Sequence, residues 1–142
     1  MKKEIEMLNT IYRIVEMGVV GIDDVITKIE DNTFETLVNT EKKEYLSIMS
    51  TSIKLLKTYD EEPKKINKVF KTSSYIMSNM KLMNEHKDHL IARMMFEGNN
   101  KGVMEIYSKI NASIYKNTKI SDLANKLLYT MENNINELKK YL

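Results

Sequence analysis

An all-α fold is predicted by three features of the chain. Its 142 residues contain one proline and four glycines, almost none of the punctuation that hairpins and long loops need. Apolar residues recur at alternating steps of three and four, the spacing of one face of a helix. Residues 15–29, VEMGVVGIDDVITKI, also align with residues 96–110, FEGNNKGVMEIYSKI, at a shift of 81 positions. Glu16 then falls on Glu97, Gly21 on Gly102, Val25 on Ile106, Lys28 on Lys109 and Ile29 on Ile110. Such a repeat predicts two copies of a helical hairpin within a single domain, residues 1–142, long enough to bury a core.

The first helix is expected from about Lys3 to Asp31, with Leu8, Ile11, Val15, Gly18, Ile22, Val25 and Ile29 on its inner seam. The run EDNT then offers a stop, and Asn32 or Thr33 a cap for the second helix. That helix, about Phe34 to Tyr59, carries the seam Phe34, Val38, Glu41, Tyr45, Ile48, Ser52, Leu55 and Tyr59, two of whose positions, Glu41 and Ser52, are notably polar. The first hairpin therefore spans about 3–59. In YDEEPKK, Asp60 is a candidate cap and Pro63 sits where a helix start needs no N–H, so a crossover helix is expected over about 63–83. Asn84 caps a further helix, about Glu85 to Ser113, with Ile91, Met95, Gly98, Gly102, Ile106 and Ile110 inward. The last helix, about Ile120 to Leu142, presents Leu123, Leu127, Met131, Ile135, Leu138 and Leu142, which completes a second hairpin over about 85–142.

All four glycines, Gly18, Gly21, Gly98 and Gly102, lie in the two repeated stretches. A glycine inside a helix costs about 0.5–1 kcal/mol against alanine. The expected compensation is close helix packing, above all at Gly18 and Gly102. The opposing reading makes EGNNKG a loop that splits the third long helix at residues 98–101. When two hairpins pack about a twofold axis across the bundle, the second and third long helices run parallel. The connection between them must then climb a bundle roughly 40 Å long, the length of a helix of 25–29 residues.

The 22 basic and 20 acidic residues are interspersed and leave a formal charge of +2, a solvated surface more than a nucleic-acid footprint. Arg13 and Arg93 are the only arginines. Lys64, Lys65, Lys68, Lys71 and Lys81 meet no acidic residue between Pro63 and Met83, and are read as a solvated helix face. No apolar run is long enough for a membrane span and no apolar signal core follows the N-terminus, so a cytoplasmic location is expected. Without cysteine there is neither a disulfide nor a thiolate metal site.

The duplicated hairpin, the long crossover and the glutamates Glu16, Glu44, Glu97 and Glu132 on successive long helices together resemble the ferritin-like superfamily, in particular its small bacterial members of unknown role. The resemblance implies a four-helix bundle with an additional helix in the crossover. It also implies a di-metal carboxylate site, with a lone glutamate on two helices and Glu-x-x-His on the other two. Glu16 and Glu97 match the lone glutamates. Where histidines belong, however, Glu44 is followed by Ser47 and Glu132 by Ile135, while Glu41 and Glu44 form Glu-x-x-Glu.

Two functional expectations follow from that departure. The first is a non-enzymatic bundle whose metal site is lost and which serves as a structural or protein-interaction module, self-associating as a homo-oligomer, with neither metal nor cofactor. The second keeps a carboxylate site of Glu16, Glu44, Glu97 and Glu132 that binds iron or manganese. Under the first, Glu16, Glu97 and Glu132 are ordinary charges flanking the seam, while Glu41 on the seam must find a lysine, a tyrosine hydroxyl or a bundle end. The histidines, His86 and His89 beside Glu85, make a weak surface metal site. The methionines Met77, Met80, Met83, Met94, Met95 and Met104 are read as core filling, with an adaptable partner-binding surface as the alternative.

Overall fold

The computed structural model describes residues 1–65 and 87–142. Among these the chain is helical, without strands. Helix α1 is Lys2–Val25, α2 is Asn32–Lys57, α3 is Lys87–Ala112 and α4 is Thr118–Leu138, while short 3-10 turns follow α1 at Ile26–Lys28 and α4 at Lys139–Tyr141. No helix among the described residues is long and apolar enough to cross a membrane. The expected crossover helix, its lysines, Asn84, His86 and Met77 to Met83 lie mainly outside the described residues. Residues 61–65 are described and carry no regular structure, so no helix begins at Pro63.

Capping explains where the helices start and stop. Asp31, one residue before the expected cap, accepts a 2.9 Å hydrogen bond from the Phe34 amide. Helix α1 ends at Val25 and its 3-10 turn closes at Lys28, three residues before the expected end at Asp31. Asp88 of α3 fixes this junction from outside, its two carboxylate oxygens accepting from the Glu30 and Asp31 amides at 3.0 Å each. At the far end of α2, Asp60 terminates the helix and does not open a new one. Its φ of 57° is left-handed, and the Glu61 amide reaches back to the Leu56 carbonyl at 3.1 Å, the pairing that closes many helix C-termini. Asn117 caps α4 by accepting from the Lys119 amide at 3.0 Å.

Contacts between helices set their directions. Gly18 lies beside Tyr45, and Asp23 pairs with Lys42 at 2.5 Å, so α1 and α2 run antiparallel. Arg13 pairs with Glu105 while Asp88 meets Glu30 and Asp31, which makes α1 and α3 antiparallel as well. Tyr59 with Asn117 at one end, and Phe34 stacked 4.5 Å from Tyr141 at the other, do the same for α2 and α4. It follows that α2 and α3 run parallel, and that Lys57 and Lys87 lie at opposite ends of the four helices.

One apolar core joins all four helices. Leu8, Ile11, Val15 and Ile22 of α1 meet Phe34, Val38, Ile48 and Leu56 of α2, with Ile91 and Ile106 from α3 and Leu127, Met131 and Leu138 from α4. Each such side chain contributes roughly 1.5–3 kcal/mol by leaving water. Helix α3 runs unbroken through residues 98–101, so EGNNKG is not a loop. Leu142, expected inward, is 48% exposed.

The glycines divide into two kinds. A Cβ at Gly18 would lie 2.8 Å from the Tyr45 ring, and one at Gly102 would lie 2.5 Å from Met131 Sδ and 3.3 Å from Ile14. Each of these two glycines thus receives a side chain from the following helix. At Gly21 and Gly98 a Cβ would meet nothing within 4 Å, so the close approach expected there is absent. Gly21 and Gly102, aligned in the sequence repeat, are therefore unlike in packing. We expect Gly21→Ala and Gly98→Ala to stabilise the protein by about 0.5–1 kcal/mol each, through helix propensity alone. Gly18→Ala should instead cost about 1–3 kcal/mol through overpacking, and Gly102→Ala less, because Met131 is a flexible side chain. Urea denaturation of the four variants measures these signs, and equal gains at all four positions would contradict the packing described.

Candidate functional site

The four candidate ligands do not gather. Glu16 is half-buried on α1, where its carboxylate takes the Tyr12 hydroxyl one turn away and leaves Oε2 buried without a partner. Burial and the charge of Glu16 hold the Tyr12 hydroxyl above its ordinary pKa. Glu44 is half-buried on α2, and burial raises its pKa against the opposing pull of Lys126. Glu97 is exposed, and so is Glu132, which accepts a 3.0 Å hydrogen bond from Tyr107. Among the described residues, no three His, Asp or Glu side chains are grouped so as to hold a metal ion. The donor set therefore does not fit a di-metal centre. His89 is exposed on α3, and its proposed companion His86 lies outside the described residues.

What occupies the interior is a different polar group, made of Glu41 and Tyr45 from α2, Asn99 from α3 and Asn134 from α4. Glu41 is 0% exposed and Asn134 1%, with Tyr45 and Asn99 also buried. Positions 41 and 45 are one turn apart on the α2 seam, so both side chains enter the core on the same face. The Tyr45 ring lies along Gly18, and its hydroxyl reaches α3. There it donates to Asn99 Oδ1 at 2.6 Å, while Asn99 Nδ2 donates to the Met95 carbonyl of its own helix at 2.8 Å. Asn134 sits 3.2 Å from the same hydroxyl and 3.2 Å from Glu41 Oε1. Three helices are thus joined by one chain of short polar contacts.

Glu41 is the costly member. Its Oε2 has no partner, and its pKa is raised to about 8, first by burial and then by the charges of Glu44 and Glu137. Its polar neighbour is the Asn134 amide, and not the lysine, tyrosine hydroxyl or bundle end expected of it. Burial likewise raises the pKa of Tyr45, more than its hydrogen bonds to Asn134 and Asn99 lower it. Both shifts favour the protonated, uncharged forms. Ser52, the other polar residue of the α2 seam, is satisfied within its helix by donating to the Met49 carbonyl at 2.7 Å.

Sequence reasoning singled out Glu41 and missed the two asparagines. In α3 the steps Ile91, Met95, Asn99, Gly102, Ile106 keep the spacing of four and three, as do Leu127, Met131, Asn134 and Leu138 in α4. Reading only apolar residues placed Gly98 and Ile135 inward instead, each one residue off, which on a helix is a rotation of about 100°. Gly98 is exposed and Ile135 is half-buried. The signal was present as a polar residue on an otherwise regular seam.

Removing one partner from such a chain strands the other. Tyr45→Phe should destabilise the protein by about 1–3 kcal/mol, because the buried Asn99 Oδ1 loses its donor. Combining Tyr45→Phe with Asn99→Leu should cost less than the two single changes summed, which a double-mutant cycle in urea measures. Strict additivity would show that the 2.6 Å contact carries no coupling.

The chain has no match among protein-family models, curated proteins or solved structures.

Proposed function

We propose that this chain is a non-enzymatic helical bundle of ferritin-like architecture, built from two hairpins, that acts as a structural or protein-interaction module and self-associates. The observation that carries this reading is the content of its interior. Where a di-metal protein needs converging carboxylates and imidazoles, the helices bring together one carboxyl, one phenol and two amides. Amides and a phenol are poor ligands for iron or manganese beside carboxylate and imidazole. The parallel course of α2 and α3 supports the ferritin-like arrangement, and the exposed Met104, Tyr107 and Tyr129 give the surface apolar area that a partner would cover. Binding is then a property of the outer faces, and the interior serves rigidity.

Chelator-treated protein with and without Fe(II), Mn(II) and Zn(II) tests the claim by thermal unfolding. A ligand that binds the folded state alone raises the midpoint, and the rise grows with the logarithm of its concentration above the dissociation constant. No shift is expected with any of the three ions, in the native protein or after Glu16→Ala, Glu44→Ala, Glu97→Ala or Glu132→Ala. A rise of several degrees that vanishes in Glu16→Ala and Glu97→Ala would instead establish the carboxylate site. Light scattering across a dilution series is expected to give a mass above one chain.

A further inference from the structure

The Asn134 amide has two orientations that use the same neighbours, and they differ in what each asks of Glu41. With Nδ2 toward Glu41, Asn134 donates to Glu41 Oε1 and to the Thr130 carbonyl, both at 3.2 Å, and Glu41 serves as an acceptor, the role of a carboxylate. The single Tyr45 hydroxyl proton then faces two amide oxygens, Asn99 Oδ1 at 2.6 Å and Asn134 Oδ1 at 3.2 Å.

With Nδ2 toward Tyr45 the sequence of donors changes. Asn134 donates to the phenol oxygen at 3.2 Å, Tyr45 donates to Asn99, and Asn99 donates to the Met95 carbonyl. Asn134 Oδ1 now faces Glu41 Oε1 at 3.2 Å, a contact of two oxygens that is attractive only with a proton between them. Its cost is a second contact of Oδ1 with the Thr130 carbonyl oxygen. Its gain is a one-way chain, from Glu41 through Asn134, Tyr45 and Asn99 to a backbone carbonyl, in which each donor has its own acceptor.

We propose that Glu41 and Asn134 form a coupled proton switch in the core. In the closed state Glu41 keeps a proton on Oε1 and donates it to Asn134 Oδ1. Loss of that proton to solvent turns the amide so that Nδ2 faces the carboxylate, and the one Tyr45 hydroxyl proton is then left between two amide oxygens.

The surroundings favour the protonated form. Glu41 is fully buried with Oε2 unpartnered, so an ionised carboxylate there would carry its charge against one amide alone. The charged groups that bear on it are Glu44 on its own helix and Glu137 on α4, both acidic. Lys42 of α2 is engaged by Asp23 of α1, and Lys126 of α4 acts on Glu44. Helix α3 contributes the uncharged Asn99 through Tyr45. The upward shift of the Glu41 pKa to about 8 agrees with this geometry.

The direction of the pH effect follows from linkage. A carboxyl whose folded pKa lies above its ordinary value of 4.5 favours the folded state fully below that value. The contribution falls as pH rises toward the folded value of about 8 and is level beyond it. Within that window the folding equilibrium constant loses about tenfold per pH unit, the signature of one proton.

NMR of the whole protein, following the Glu41 side-chain carboxyl carbon and the Asn134 side-chain amide from about pH 5 to about pH 9, tests the switch. Both signals are expected to change together with one midpoint near 8. In Glu41→Gln, whose amide donates as the acid does, the Asn134 signal should become insensitive to pH and the tenfold loss per unit should disappear. A Glu41 midpoint near 4.5 would overturn the proposal, and so would an Asn134 amide unmoved while Glu41 titrates. Should Glu41→Gln fail to fold, the titration of the native protein decides alone.

Discussion

The position of Tyr45 is the constraint on which the rest of the interior depends. Its ring needs a helix without a side chain beside it, which Gly18 supplies, and its hydroxyl needs partners at the far side of the core, which Asn99 and Asn134 supply. A phenol buried without a partner would lose the water it gave up and gain nothing. Close approach of α1 to α2 and polar contact with α3 and α4 are thus two ends of one side chain. The helical cost of Gly18 becomes intelligible at that point, since alanine there would meet the ring at 2.8 Å while the hydroxyl is held from the other end.

The same side chain gives the two aligned stretches a packing different from the one their alignment suggests. Under the shift of 81 positions Gly18 corresponds to Asn99, and both touch Tyr45, one at the ring and one at the hydroxyl. Gly102, aligned with Gly21, has taken on the packing role that Gly18 plays in α1, one turn away. A buried polar link of this kind contributes little net stability compared with an apolar core of equal volume. What it does impose is a register: Tyr45 reaches Asn99 and Asn134 together only when α2, α3 and α4 stand at one set of heights. The apolar seams alone, rich in interchangeable Ile, Leu and Met, are less demanding of position.

Much of the fold was legible because helical periodicity is a long-range signal within each element. The seams of α1 and α2 were readable almost residue for residue, including the burial of Glu41 and Ser52. Helix ends were not, since they depend on single hydrogen bonds: Asp31 displaced Asn32 as the cap, and Asp60 took up a left-handed conformation where a helix start was expected. The interior of α3 and α4 was misread by one residue at Gly98 and Ile135 because inward positions were assumed to be apolar. Two of the candidate carboxylates, Glu97 and Glu132, face outward for a related reason. Glu97 and Glu132 each stand two residues before an asparagine that does point inward, and two residues along a helix turn a side chain by about 200°, nearly the opposite face. A motif matched by residue type carries no information about facing unless its seam has been placed first.

The central claim is that the middle of this bundle holds a hydrogen-bonded polar chain and not a metal-binding set of carboxylates. Anomalous diffraction from crystals grown with Mn(II) examines that claim directly. The account predicts no anomalous density between the four helices, with Asn134 in contact with Glu41 and Tyr45 and Glu97 on the surface. A metal peak between the helices, ligated by Glu16 and Glu44 with Glu97 or Glu132 drawn inward, would contradict it.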